Sequence, residues 1–205
     1  MSKRRVPEVN AGSMADIAFL LLIFFLVTTT IDKDKGIARL LPPNEVIDIV
    51  TVKEKNILPI FINDQEEYLV NETVTPINEI SEIALNFIDN GGAPIDHEFY
   101  CSYCQGDRDP KSSDGPKKAV IAIDANRKST YKSYILLQNE LAKAYNTLRN
   151  RESQRLFGYD FTTIHQEVQE GRYKGNLQKV KAQLKEIKEL YPLLITDAQT
   201  KKRDL

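Results

Sequence analysis

The chain has 205 residues, and 28 Lys and Arg against 29 Asp and Glu give a formal net charge of −1. This balance excludes a general nucleic-acid-binding protein, because such proteins need a basic excess to neutralise phosphates. With 9 glycines, 9 prolines and 41% hydrophobic residues, the composition also excludes a collagenous or linker-like chain and provides for a packed core.

The first predicted element is a membrane span over residues 13–31. Its centre, residues 17–27, reads IAFLLLIFFLV without interruption. A helix over 13–31 rises about 28 Å, close to the thickness of one bilayer core. The alternative is a cleaved signal peptide. The long stretch before the apolar run, and the absence of a small-residue cleavage site after it, favour an uncleaved single-pass anchor.

The charges on either side of the span predict its orientation. Lys3, Arg4 and Arg5 precede it, whereas residues 32–35 carry no net charge. The positive-inside rule therefore places the predicted tail, residues 1–12, in the cytoplasm and everything after the span on the opposite side of the membrane.

Asp16 is the one carboxylate within this span. An ionised side chain costs about 2.5–3.5 kcal/mol at the centre of a spanning helix and less near its end. In one interpretation Asp16 only reaches the interface or caps the helix, where the helix dipole favours an anion. In the other it carries protons, because burial raises the pKa of a carboxyl group towards neutrality.

Helical geometry places Asp16 on a stripe that is polar at both ends and aliphatic between them. Such a face suits a bundle of helices better than lipid. The residues that we predict to contact partner helices on this stripe are Ser13, Leu20, Ile23, Val27 and Thr30.

This N-terminal segment resembles the start of the ExbD/TolR family, the small subunits of proton-driven motors in Gram-negative inner membranes. The resemblance rests on PEVNAGSMADI over residues 7–17, followed by LLLIFFLVTT. A basic tail, Asn10, the single Asp16 and a span rich in Leu, Ile, Phe and Val match the family. Gly12 and Ser13 stand where the family has Thr-Pro, so the turn before the helix differs.

The resemblance implies a motor subunit of the Gram-negative inner membrane, with a cytoplasmic N-terminus and a periplasmic C-terminal domain. Family members form a dimer inside a ring of ExbB/TolQ-type polytopic subunits, and by the match Asp16 would be the protonated residue. The work passes to TonB-type proteins, which pull on outer-membrane transporters. Whether the second ExbD-type subunit is identical, and whether the periplasmic domain contacts peptidoglycan, remain open.

Residues 32–45 are predicted to be a linker. They begin with a charged stretch, and the sequence LPPNE over 41–45 stops any helix. The resemblance adds that this segment carries a Leu-Pro signature and switches between a free state and a docked strand. The residues assigned to that role are Ile37, Leu40, Leu41, Pro42 and Pro43.

Residues 46–205 are predicted to form the periplasmic ExbD-like domain, a two-layer α/β fold with a mixed sheet and helices on one face. Strand signals cover residues 46–52, 57–62, 67–70, 119–123 and 193–196, and helical signals cover 77–88, a long segment capped at Ser129 or Thr130, and 177–191. Pro59 predicts that the second strand is an edge strand or contains a bulge.

Two insertions extend this predicted domain. The loop over residues 90–116 is rich in Asp, Gly, Ser and Pro, and the largely helical segment 150–192 delays the final strand. The helical insertion is either a packed elaboration of the fold or a docking surface. We expect its histidine, His165, to lie on the surface.

The only two cysteines, Cys101 and Cys104, lie in the first insertion as Cys-Ser-Tyr-Cys. A local disulfide or a pair of free thiols is the simplest interpretation. A metal site would add His97 but lacks a fourth ligand, so we predict none. A redox site would need the pair at a helix start.

No phosphate-binding loop, nucleophile elbow or zinc-protease motif is present, so we predict neither an enzyme nor a cofactor. Three functions remain. The first, which we favour, is a proton-coupled motor subunit that energises TonB-dependent transport. The second is a membrane-tethered periplasmic binding or scaffold module without proton coupling. The third is a thiol oxidoreductase. A flagellar-stator subunit also has one membrane aspartate, but its peptidoglycan-binding motifs are missing.

Overall fold

The computed structural model describes residues 11–28 and 52–197. They belong to two compact units that divide after Asp48. Residues 1–10 of the predicted tail, residues 29–31 of the predicted span and nearly all of the predicted strand 46–52 lie outside the described residues. So do the predicted site residues Thr30, Ile37, Leu40, Leu41, Pro42 and Pro43.

The first unit contains helix α1, Ala11–Thr28, which has 18 residues. Its Leu, Ala and Met residues are strong helix formers, and no proline interrupts it. The helix begins at Ala11, so the last two residues assigned to the tail belong to it. At its end, the Thr28 hydroxyl donates a hydrogen bond of 2.8 Å to the carbonyl of Phe24. Among the helices of the described residues, none has both the length and the apolar character required to cross a membrane.

The second unit is built on a five-stranded mixed sheet with the order β3-β2-β1-β4-β5. Strand β1 pairs antiparallel with β2 and parallel with β4, and β5 extends the parallel side. The strands are β1 (Ile57–Ile62), β2 (Tyr68–Val70), β3 (Thr73–Thr75), β4 (Val120–Ala125) and β5 (Ile195–Asp197). The predicted mixed α/β class is confirmed for this unit.

The prediction from Pro59 is wrong, because β1 is the central strand of the sheet. The carbonyl of Pro59 accepts a hydrogen bond from Asn71, which lies just beyond the end of β2. The N–H and C=O of one strand residue point to the same edge, so the nitrogen of Pro59 also faces the end of the β2 pairing. The N–H that Pro59 lacks would therefore lie where the hydrogen bonding between β1 and β2 ends. For this reason β1 remains paired on both sides despite the proline.

Within residues 52–197, four α-helices accompany the sheet: α2 (Ile77–Ile88), α3 (Tyr131–Phe157), α4 (Phe161–Gln169) and α5 (Leu177–Leu190). The Thr130 side chain caps α3, and Asn176 caps α5. Helix α3 ends at Phe157 and is followed by Gly158, whose φ of 76° is the left-handed conformation that favours glycine. The predicted insertion boundary at residue 150 therefore lies inside a continuous helix.

The main core lies between one face of the sheet and the helices α2 and α3. Alternate residues of β1 and β4 are buried, as the twofold repeat of a strand requires. The largest fully buried side chains of this core are Ile60, Ile62, Ile80, Ile88, Ile121, Ile123, Leu137, Leu141, Tyr145, Leu148 and Tyr191. A smaller cluster of Phe161, Val180, Leu184 and Ile187 joins α4 to α5. Each such aliphatic side chain contributes about 1.5–3 kcal/mol on burial.

Candidate functional site

Helix α1 carries the predicted stripe, with Asp16 as the single ionisable residue of the helix. Ser13 and Asp16 lie in its first two turns and are exposed. The aliphatic members of the stripe follow at helical spacing, with exposures of 58% for Leu20, 42% for Ile23 and 66% for Val27. The helix therefore brings a carboxylate and an apolar ridge onto one face.

The rest of α1 is equally uncovered. Its large apolar side chains are exposed by 42 to 66%. A contiguous apolar surface of this kind is unfavourable in water and marks a surface that is covered by lipid or by other protein chains. The helix alone gives Asp16 surroundings that are mainly aliphatic and aromatic.

Within the second unit, the loop between α2 and β4 contains a disulfide between Cys101 and Cys104. Both cysteines are buried, and Arg108 donates hydrogen bonds to both of their carbonyl groups. A Cβ atom at Gly91 would lie 2.8 Å from the Cβ of Cys104, so this glycine allows the close packing. The pair lies in a loop and not at a helix start. No group of side chains within residues 11–28 and 52–197 is suited to holding a metal ion.

A buried ionic network fixes this loop to α3. Asp89, at the end of α2, is 2% exposed and accepts hydrogen bonds of 2.7 and 2.8 Å from the Arg151 guanidinium. The Tyr191 hydroxyl donates to the same carboxylate at 3.0 Å, and the backbone N–H of Gln105 donates at 3.1 Å. Burial, followed by the negative charge of Asp89, raises the pKa of Tyr191 above its ordinary value.

Sequence reasoning missed this network, although one signal pointed to it. Asp89 follows the last residue of α2, and a carboxylate at a helix C-terminus opposes the helix dipole. Such a residue indicates a compensating cation elsewhere in the fold. The identity of that cation, Arg151, depends on how α2 packs against α3 and is not readable from local sequence.

A second ionic contact lies beside a cleft of about 340 Å³ at the beginning of β4. Asp114 forms an ion pair of 2.6 Å with Lys55 and exchanges two hydrogen bonds with the Asn56 side chain. Burial acts to raise the pKa of the Asp114 carboxyl, but the hydrogen bonds from Lys55 and Asn56, with the positive charges of Lys55 and Lys53, outweigh it and hold the pKa below its ordinary value.

The helical insertion contains His165, which is half-buried and not on the open surface that we expected. Its ring stacks on Phe161 with centroids 5.3 Å apart. Burial, together with the positive charges of Lys188 and Arg149, lowers the pKa of His165 below its ordinary value.

The family model described as "Biopolymer transport protein ExbD/TolR" matches residues 2–151 of the chain. This match extends from the N-terminal segment through most of α3 and ends before α4 and α5. A search of curated proteins finds no match.

Proposed function

The chain belongs to the ExbD/TolR family, and on this basis we propose that it is the proton-motive-force-coupled subunit of an inner-membrane motor that energises TonB-dependent outer-membrane transport. The family is membrane-associated, non-enzymatic and related to biopolymer transport. Its members work with ExbB/TolQ-type and TonB/TolA-type partners.

Asp16 is the proposed proton-carrying residue, and its position in α1 is the observation that supports the proposal. It is the single ionisable side chain among 18 residues that are otherwise mostly apolar. An aspartate kept in such surroundings is expected to have a function, because its burial in a membrane costs free energy that an apolar residue would not. In this proposal residues 13–31 cross the inner membrane with the N-terminus in the cytoplasm.

The stripe on α1 is the proposed contact with other subunits. Leu20, Ile23 and Val27 pack against helices of an ExbB/TolQ-type subunit or of a second ExbD-type subunit, which hold Asp16 away from lipid. The second unit is then periplasmic, and the Cys101–Cys104 disulfide supports an oxidising compartment. Residues 32–45 transmit the movement from the helix to this domain.

The test is the substitution Asp16→Asn, which retains the size of the side chain but cannot bind and release a proton. We expect the variant to co-purify with its polytopic partner in normal amount and to lose TonB-dependent uptake in the living cell. Asp16→Glu, which restores a titratable group, should recover part of the uptake.

The matched control is Asp32→Asn, which removes a carboxylate just after the predicted span. Uptake should remain normal in this variant because Asp32 takes no part in proton transfer. Near-normal uptake with Asp16→Asn would refute the proton-carrying role and would favour the tethered scaffold module.

A further inference from the structure

Three basic side chains from three helices gather around the ring of Phe161, the first residue of α4. Phe161 is 3% exposed, and the His165 ring stacks on it with an interplanar angle of 12°. The Cζ atom of Arg149, from α3, lies 5.6 Å from the centre of the same ring. The Nζ atom of Lys188, from α5, lies 6.0 Å from it.

The helices hold this group in place by contacts of their own. The side-chain oxygen of Asn150 accepts hydrogen bonds from the backbone N–H and the hydroxyl of Thr162, which ties the start of α4 to α3. Between α4 and α5, the Lys188 Nζ atom lies 3.1 Å from the His165 Nε2 atom. An ammonium group only donates, so this ring nitrogen is the acceptor and the imidazole is neutral in this contact.

None of the ion pairs found within residues 11–28 and 52–197 involves Arg149, His165 or Lys188. The Arg149 guanidinium donates from Nε and Nη2 to the carbonyl of Tyr191, at 3.0 and 2.6 Å, which leaves its Nη1 group for another acceptor. Burial, together with the charge of Arg149, lowers the pKa of Lys188. Like charges held together without a counter-ion raise the free energy of the folded chain.

We propose that Arg149, His165 and Lys188 form a binding site for a small anionic group, a carboxylate or a phosphate. The guanidinium and the ammonium supply charge-assisted donors, and the neutral imidazole, whose Nε2 atom accepts from Lys188, offers its Nδ1–H as a third donor. The buried ring of Phe161 holds the three side chains together beneath the site. His165 and Lys188 lie outside the family match and Arg149 lies within its last residues, so the site is argued from these contacts and not from the proposed motor function.

The two histidines of the chain make the test direct, because His97 serves as an internal reference for His165. His97 lies in the loop after α2 and contacts Phe99 instead of this cluster. The full-length protein is labelled with carbon-13 at the histidine Cε1 position and held in detergent micelles. It is titrated at fixed pH with sodium phosphate or sodium acetate, and the histidine resonances are followed by NMR. Sodium chloride keeps the ionic strength constant.

We expect the His165 resonance to shift along a saturating curve with a midpoint on the order of 1 mM, as for a few charge-assisted hydrogen bonds offset by the cost of association. The His97 resonance should stay in place. Saturation by acetate identifies a carboxylate site, and saturation by phosphate alone identifies a phosphate site. A shift that is linear, or equal for both histidines, would overturn the proposal.

Lys188→Gln removes one of the two permanent charges of the cluster and should raise the midpoint about two- to fivefold. The matched control is Lys179→Gln, an exposed lysine near the start of the same helix, which the helical repeat places on the side opposite Lys188. The control should leave the midpoint unchanged. An unchanged His97 resonance shows that each variant is folded. An equal midpoint in wild type and Lys188→Gln would contradict the assigned site.

Discussion

The buried carboxylate of Asp89 should be one of the largest single contributors to the stability of the second unit. Asp89→Ala removes the acceptor of the Arg151 guanidinium, of the Tyr191 hydroxyl and of one backbone N–H. Removing one partner of a buried ion pair costs about 3–5 kcal/mol. The Arg151 side chain is 28% exposed and regains some hydration, so we expect the low end of this range.

A loss of about 3 kcal/mol should lower the melting temperature of a chain of this size by about 6–12 °C. The measurement is thermal unfolding of the full-length protein in detergent, followed by circular dichroism. Arg151→Met should also destabilise, and the double variant Asp89→Ala with Arg151→Met should lose less than the sum of the two, because the pair is then removed together.

The control for this cycle is Lys143→Ala, which breaks an exposed pair of 3.4 Å with Glu140 on α3. Such a pair contributes less than about 1 kcal/mol. If the losses caused by Asp89→Ala and Arg151→Met are strictly additive, the two residues act independently and the reasoning from their contact is wrong.

Two further predictions concern the loop after α2 and its contact with Lys55 and Asn56, just before β1. Replacing both Cys101 and Cys104 with Ser should lower the melting temperature by about 4–8 °C, because closing so short a loop contributes about 2 kcal/mol in the chain-entropy model. Transport should persist in this variant. An unchanged melting temperature would show that the disulfide does not restrict the unfolded chain. Asp114→Asn should cost about 1.5–3 kcal/mol at pH 7, the range for hydrogen bonds to a charged group. Because the folded-state pKa of Asp114 is lowered, this stabilisation is present above the unfolded-state pKa and is lost as the pH falls through the folded-state pKa. The melting temperatures of wild type and Asp114→Asn should therefore converge as the pH falls from 7 to 3. A difference that stays constant with pH would refute the ionic explanation. The control is Asp64→Asn, which changes an exposed aspartate.

Local patterns were sufficient to predict the elements whose side chains repeat with the period of their structure. The spacing of Ile80, Ala84 and Ile88 predicts α2, and the β-branched and apolar run over residues 57–62 predicts β1. The cap predicted at Ser129 or Thr130 marks where α3 begins, and the structure places it at Thr130. These features follow from interactions between residues that are close in sequence.

What the sequence did not predict depends on long-range packing. Pro59 is compatible with a central strand only because the pairing with β2 ends beside it, and that register involves residues about ten positions away. The partner of Asp89 lies 62 residues away on α3, and the environment of His165 comes from α3 and α5. No local window of sequence contains both partners of such contacts.

The segment beyond the family match is an integral part of the second unit and not an appended module. The chain passes through α4 and α5 before it supplies β5, which pairs with β4, and Tyr191, which is fully buried in the main core. The carbonyl of Tyr191 accepts from Arg149, and its hydroxyl contacts both members of the Asp89–Arg151 pair.

Arg149 therefore belongs both to the junction that holds Tyr191 and to the proposed anion site, whose other members lie on α4 and α5. An anion present at a free concentration ten times its dissociation constant would stabilise the folded chain by about 1.4 kcal/mol, because binding to the folded state is linked to folding. This free energy of binding would favour the folded position of α5 and of β5, the strand that follows it. The additional helices thus provide a physical route by which a small ligand can alter the stability of the sheet that the family-like part of the chain also forms.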